Sequence, residues 1–216
     1  MDKIIVFGES DIGLAIKSLF PTTEIIPKDN CDVRKPQDIR AIIARYNPTA
    51  VVNCAGVSNV QNIKDSSVAE WVEEIEVNLI GSYYLAKEIV NFNPKLPMVF
   101  LASVAGMYGK PSHSGYSASK SGVITFVQSL AMEGYEAYAI SPGRVNTKMR
   151  EKDFPGEDIR TRLSTNEVAV VIKKCLEGQY TSGDNIIIRK RGFRKLSRVD
   201  KGQPWKAYLN VQPIIK

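Results

Sequence analysis

The chain has 216 residues, 44% of them hydrophobic and 24% charged, the makeup of one soluble globular domain with a sizeable core. A disordered chain, a coiled coil and a membrane helix are excluded, because apolar residues cluster yet no run reaches about 18–20 residues. The net charge of +6 is uneven: residues 189–216 hold nine Lys/Arg against Asp200, a net +8, leaving −2 on residues 1–188.

Short β-branched runs alternate with amphipathic stretches. Residues 3–7 are apolar and meet Gly8, which predicts a first strand; the run is too brief for a secretory signal. Residues 11–20 predict a helix, stopped by Pro21. Residues 23–26 predict a second strand, 36–46 a helix and 49–53 a third strand. Ser67 and Glu70 have the spacing of a capping box and predict a long helix to about residue 91. A fourth strand is expected at 98–102, a helix at 114–133 and a fifth strand at 136–140. Ser164 and Glu167 form a second capping-box pattern, opening a helix to 176 before a sixth strand at 185–188.

Strands joined by helical crossovers require a parallel sheet. The expected fold is therefore α/β: one Rossmann-type doubly wound sheet of about six strands, with helices on both faces. The expected domain spans 1–190, and 191–216 is a basic C-terminal extension. Cys31, Cys54 and Cys175 are odd in number and far apart, so no disulfide framework is expected and a reducing cytoplasm is. With His113 the only histidine, no histidine metal site is expected.

Several segments carry possible chemistry. Gly8-Glu9-Ser10-Asp11-Ile12-Gly13 joins strand to helix, where free amides and the helix dipole suit a pyrophosphate. It reads equally as a tight turn with Asp11 as N-cap, and a carboxylate there would repel a phosphate. Asn53-Cys54-Ala55-Gly56 ends the third strand with small residues that admit a flat ring. Tyr116 and Lys120 are four apart, on one helix face. A lysine beside a tyrosine favours the phenolate, which suits proton exchange with a carbonyl or alcohol oxygen. Ser103 closes the fourth strand, and Pro142-Gly143-Arg144-Val145-Asn146-Thr147 follows the fifth. Both would face the crevice at the strands' carboxyl ends.

In this order, the pieces resemble the short-chain dehydrogenase/reductase family. The likeness runs over about residues 3–190 and includes Asp32-Val33 and Asn78. It implies Tyr116 as catalytic acid/base, with Lys120 lowering its pKa and holding the nicotinamide ribose. Ser103 would orient the substrate oxygen, and Asn78 would link Lys120 to a relay water. Gly8, Ser10, Asp11, Ile12 and Gly13 would meet the pyrophosphate, Asp32 and Val33 the adenine, and Asn53, Cys54, Ala55 and Gly56 the ribose. Pro142, Gly143, Val145 and Thr147 would hold the nicotinamide amide. The implied cofactor is NADP or NAD.

Two features depart from the family's pattern. The glycine turn is one residue short, with Asp11 where the middle glycine would align. The path from Gly13 to Asp32 leaves no room for a further helix and strand, so a six-stranded sheet is expected. After the second strand Lys28 and Asp29 adjoin; Lys28 tips the expectation to NADP. Arg144, Lys148 and Arg150 lie where this family closes over substrate and suggest an anionic one, against Glu151, Asp153, Glu157 and Asp158, which could neutralise them.

Residues 146–169 are also similar to the reductase half of cytidylyltransferase–reductase pairs, which implies a phosphorylated keto-sugar. The alternatives are an epimerase or dehydratase with the same residues, or a non-catalytic nucleotide-binding module. Expected partners are a small carbonyl or alcohol and further copies of the chain along helices 67–91 and 114–133. The basic tail is expected to contact a subunit or close the site, rather than bind nucleic acid.

Overall fold

The computed structural model describes residues 3–190; the expected extension at 191–216 lies outside the described residues. The strands are β1 (Ile4–Phe7), β2 (Glu24–Ile26), β3 (Ala50–Asn53), β4 (Met98–Leu101), β5 (Ala137–Pro142) and β6 (Asn185–Ile188). They form one parallel sheet in the order β2-β1-β3-β4-β5-β6. Every residue of β1, β3, β4 and β5 is buried, as strands covered on both faces must be. The six parallel strands expected from sequence are present.

Alternation along each strand builds two cores. Ile5, Phe7, Val51, Met98 and Phe100 pack against α2 (Pro36–Tyr46), α4 (Gly81–Phe92) and α5 (Ser114–Met132). Ile4, Val6, Val52, Val99 and Ile140 pack on the opposite face, against α1 (Asp11–Leu19) and α7 (Thr165–Leu176). The chain leaves β1 for β2 and then returns to β3 on the other side of β1. That reversal opens a crevice at the strands' carboxyl ends.

Five expectations need correction. The long helix from 67 is interrupted: α3 (Val68–Ile75) leads through a π turn, Glu76–Ile80, into α4. The extra residue of a π turn re-aims the side chains around it. Here the turn holds Asn78, only 1% exposed. The first capping box does not form, because Ser67 makes no side-chain cap bond and Glu70 instead accepts from Gln61 Nε2 at 3.1 Å. Ser10, not Asp11, caps α1, accepting from the Gly13 amide at 3.0 Å. Strand β5 also runs on to Pro142, because it pairs with β6 beyond the end of β4. A short helix, α6 (Lys148–Asp153), occupies a stretch read from sequence as loop.

The second capping box is complete: Ser164 Oγ accepts from the Glu167 amide at 3.2 Å, and Glu167 Oε2 accepts from the Ser164 amide at 2.7 Å. Ser164→Ala should therefore cost about 1 kcal/mol, and Ser67→Ala a few tenths at most, in paired urea unfolding curves. Equal losses at the two sites would contradict the difference in capping.

Candidate active site

The crevice holds a cavity of about 660 Å3, a size suited to a cofactor with a small substrate. It runs from the Gly8–Gly13 turn, past Lys28, Asp32, Val33 and residues 54–57, to Ser103, Tyr116, Lys120 and Pro142–Arg150. Nearly every residue expected at a cofactor or substrate site lines it. The exceptions are Gly13, Asn53 and Asn78, which lie behind the wall and position it.

Gly8 adopts φ +92°, and a Cβ there would lie 2.6 Å from the Ala55 backbone. Only glycine fits that close approach. At Gly13 a Cβ would stand 3.3 Å from Val6, so this glycine seats α1 on β1. Asn53 Nδ2 donates to Ser82 Oγ at 3.0 Å, and its Oδ1 accepts from the Ala55 amide at 3.1 Å. That network shapes the turn carrying Cys54, Ala55 and Gly56. Burial pushes the Cys54 thiol up to about 12, which leaves it unreactive at neutral pH.

Asp32 faces Arg34 through paired bonds, with Arg34 Nη2 donating at 2.6 Å. These bonds hold the carboxyl down to about 2. The Asp11 carboxylate does not cap its own helix. Its Oδ2 accepts from the Lys148 amide at 2.7 Å, joining the glycine turn to the start of α6.

These features fit a dinucleotide: a glycine-seated turn, a helix start with unpaired Asp11 and Ile12 amides among the described residues, and small residues opposite. Asp11 and Glu9 are the carboxylates at odds with a phosphate there, and the Asp11 bond to Lys148 draws part of its charge toward α6.

The reacting end is built by α5 and the end of β4. Lys120 is 4% exposed, and its ammonium donates to the Leu101 carbonyl at 2.7 Å. Burial lowers its pKa to about 8. Tyr116 is raised to about 12 by burial, opposed first by a hydrogen bond with Ser103. The expected lowering of the tyrosine by Lys120 is thus not realised, because the ammonium is turned to Leu101 and dehydration dominates. Lys120 Nζ does lie 5.7 Å from the Tyr116 ring centre.

Asn78 Oδ1 accepts from the Val57 amide at 2.9 Å, and its Nδ2 donates to Val57 O and Ser119 Oγ at 3.0 Å. Its backbone oxygen accepts from Ser82 Oγ at 2.6 Å. A Cβ on Gly56 would stand 3.2 Å from Asn78 Oδ1 and 3.4 Å from Lys120 Nζ, so the bare glycine keeps a gap between them. Only the second lone pair of Oδ1 is left there for a water.

The basic residues after β5 are largely engaged. Glu157 takes the Arg150 Nε at 2.8 Å and the Arg144 Nε at 3.2 Å. Buried Arg162 reaches it at 3.3 Å and Glu151 at 2.6 Å. The Arg150 guanidinium also lies 3.7 Å over Phe154, whose other neighbour is the His113 ring, stacked at 5.6 Å. Thr147 caps α6, accepting from the Arg150 amide at 3.1 Å.

Glu74 escaped the sequence reading. It is 2% exposed, and its carboxylate accepts from the Asn59 amide at 2.8 Å and from the Tyr116 amide. It lies four residues before Asn78 on the same helical face, the one signal available in sequence. Lys110, His113 and Phe154 also line the cavity; Lys110 and His113 lay between recognised motifs, and Phe154 lay in the stretch similar to the cytidylyltransferase-linked reductases without a role assigned to it.

Residues 22–158 match the short chain dehydrogenase family model. The D-beta-hydroxybutyrate dehydrogenase of Rhizobium meliloti (strain 1021) is 32% identical over 162 residues, or 69% of this chain and 62% of that protein. A putative ketoacyl reductase of Streptomyces coelicolor is 31% identical over 66% of this chain and 60% of its own length. The chain thus spans less than two thirds of these relatives. The solved aldohexose dehydrogenase of Thermoplasma acidophilum shares the fold, with a TM-score of 0.73 at 23% identity over 87% of this chain and 92% of that one.

Asp32 is depressed from 3.8 to about 2, so its contribution to stability is complete above about pH 4 and is lost as pH falls toward 2. Allowing for solvent screening, Arg34→Leu should cost about 1 kcal/mol at neutral pH and almost nothing near pH 2. Denaturant unfolding at the two pH values reads the difference, and a cost independent of pH would refute the pairing.

Proposed function

Because the chain belongs to the short chain dehydrogenase family, we propose that it interconverts a carbonyl and an alcohol, with Tyr116 as the acid/base group. The observation that carries this reading is the convergence of Ser103, Tyr116 and Lys120 on one cavity with a glycine-seated turn at its far end. A nicotinamide dinucleotide, when bound, supplies or accepts the hydride.

The chain's own groups do the rest. The Tyr116 hydroxyl gives a proton to the substrate oxygen in reduction and takes it back in oxidation. Ser103 orients that oxygen. Lys120 holds the cofactor ribose, and its positive charge near Tyr116 favours the phenolate once the ammonium leaves Leu101. Asn78 presents its remaining lone pair to a water beside Lys120. Gly8, Ser10 and Ile12 hold the pyrophosphate with Gly13 seating the helix start behind them, Asp32 and Val33 hold the adenine, and Pro142, Gly143, Val145 and Thr147 the nicotinamide end. Closing the cavity with α6 and Phe154 excludes water from the reacting atoms.

Lys28 lies at the adenosine end of the cavity and supports NADP over NAD. Lys148 lines this end of the cavity beside Arg144 and Arg150, which Glu157 holds in place, and this basic lining supports an anionic substrate, a phosphorylated keto-sugar first. The exposed apolar side chains of Val68, Val72 and Tyr83 on α3 and α4 support a homo-oligomer. The cysteine pattern supports a cytoplasmic setting, and residues 1–190 are read as the catalytic domain with a basic extension after it.

Tyr116→Phe should lower kcat by about 10²–10⁴ and leave the cofactor Kd within about threefold, measured by NADPH oxidation and by fluorescence titration. Turnover at the wild-type rate would overturn the assignment. Lys28→Glu should lower kcat/KM for NADPH about tenfold or more relative to NADH. An unchanged ratio would remove the basis for NADP.

A further inference from the structure

The cavity's reacting end carries more positive charge than its own carboxylates balance. Arg144, Arg150 and Arg162 all draw on Glu157, and Arg162 adds Glu151. Arg150 is further fixed by its stack on Phe154. The Arg150 and Arg162 guanidinium groups are therefore poorly free to turn toward a ligand, whereas Arg144 meets Glu157 through Nε and keeps half of its side chain exposed.

Lys110 differs. It lies in the segment between Ser103 and Tyr116 and lines the same cavity. No carboxylate lies within ion-pair distance of it among the described residues. Its Nζ stands 6.0 Å from the Tyr108 ring centre, and the Arg189 guanidinium stands 5.8 Å from the same ring. Burial lowers the Lys110 pKa, and Arg150, Arg144 and Arg189 lower it further, with Glu157 opposing. Asp153 is the carboxylate that lines this end of the cavity. An ammonium that lines a cavity with no carboxylate in ion-pair distance, and that shares the Tyr108 ring with a guanidinium, gains when an anion arrives beside it.

We propose that Lys110, with Arg144 and Arg189 beside it, is the subsite that takes a phosphate monoester on the substrate. Arg150 and Glu157 serve it from behind, holding the wall in shape. The assignment rests on the carbonyl–alcohol reading for its purpose, while the binding itself needs no turnover.

The test uses the full chain saturated with NADP and titrates inorganic phosphate by calorimetry. Wild type should bind it saturably with a Kd of about 1 mM, and Lys110→Met should weaken binding about tenfold or more. Lys110→Arg should stay within about threefold of wild type. Lys95→Met, on an exposed loop, should change nothing. Wild-type phosphate affinity in Lys110→Met, or no saturable binding up to about 50 mM, would overturn the subsite.

Turnover of D-ribulose 5-phosphate against D-ribulose separates the two claims. If the subsite is right, Lys110→Met raises KM for the phosphorylated ketose about tenfold and leaves the plain ketose unaffected. If no carbonyl compound turns over, the catalytic reading fails, and the phosphate titration still decides Lys110. If no NADP binds, the same titration is run without it, and the loss in Lys110→Met still identifies the site.

Discussion

The approach of α5 to the end of β4 is the constraint on which the site depends. A Cβ on Gly106 would lie 2.5 Å from the Lys120 backbone carbonyl carbon. Because nothing stands there, the helix presses against the turn after β4. The Lys120 side chain then reaches the Leu101 carbonyl, and Tyr116 comes to Ser103. Burying an ammonium is costly unless it is hydrogen-bonded, and here one backbone oxygen accepts from it. The same burial makes both side chains sensitive to whatever enters the cavity, since small changes in their surroundings act at low dielectric.

A second organising element is Glu157. One half-sheltered carboxylate ties together Arg144, Arg150 and Arg162, which come from the segment closing the cavity. That segment is fastened at two further points. Asp11 holds the start of α6 through the Lys148 amide, and Phe154 lies between Arg150 and His113. The glycine turn, the segment over the cavity and the start of α5 are thereby mechanically joined. An acidic residue that looks hostile to a phosphate in sequence is, in the fold, a strut between two loops.

The two capping-box patterns show where sequence reading reaches its limit. Ser67–Glu70 and Ser164–Glu167 are alike in residue type and spacing. Only the second forms, because Glu70 is drawn to Gln61 across a loop. The π turn was illegible for a similar reason. Its extra residue is stabilised by what Asn78 meets, namely Val57 and Ser119, and both are distant in sequence. Glu74 and Lys110 matter through neighbours brought by other elements, so nothing local marks them.

Alternating apolar runs and small residues at strand ends were enough to determine the six-stranded parallel sheet and its crossover helices, while most of the residues lining its crevice were legible only through the resemblance to a known family. The sheet and its helices arise from local periodicity and steric demand, which each segment carries within itself. The tertiary structure alone decided the partners of the charged groups: Lys120 on a carbonyl, Asp11 on α6, Arg150 on Glu157 and Lys110 among like charges. Electrostatic partners depend on distance and dehydration, and both are set only when remote segments pack.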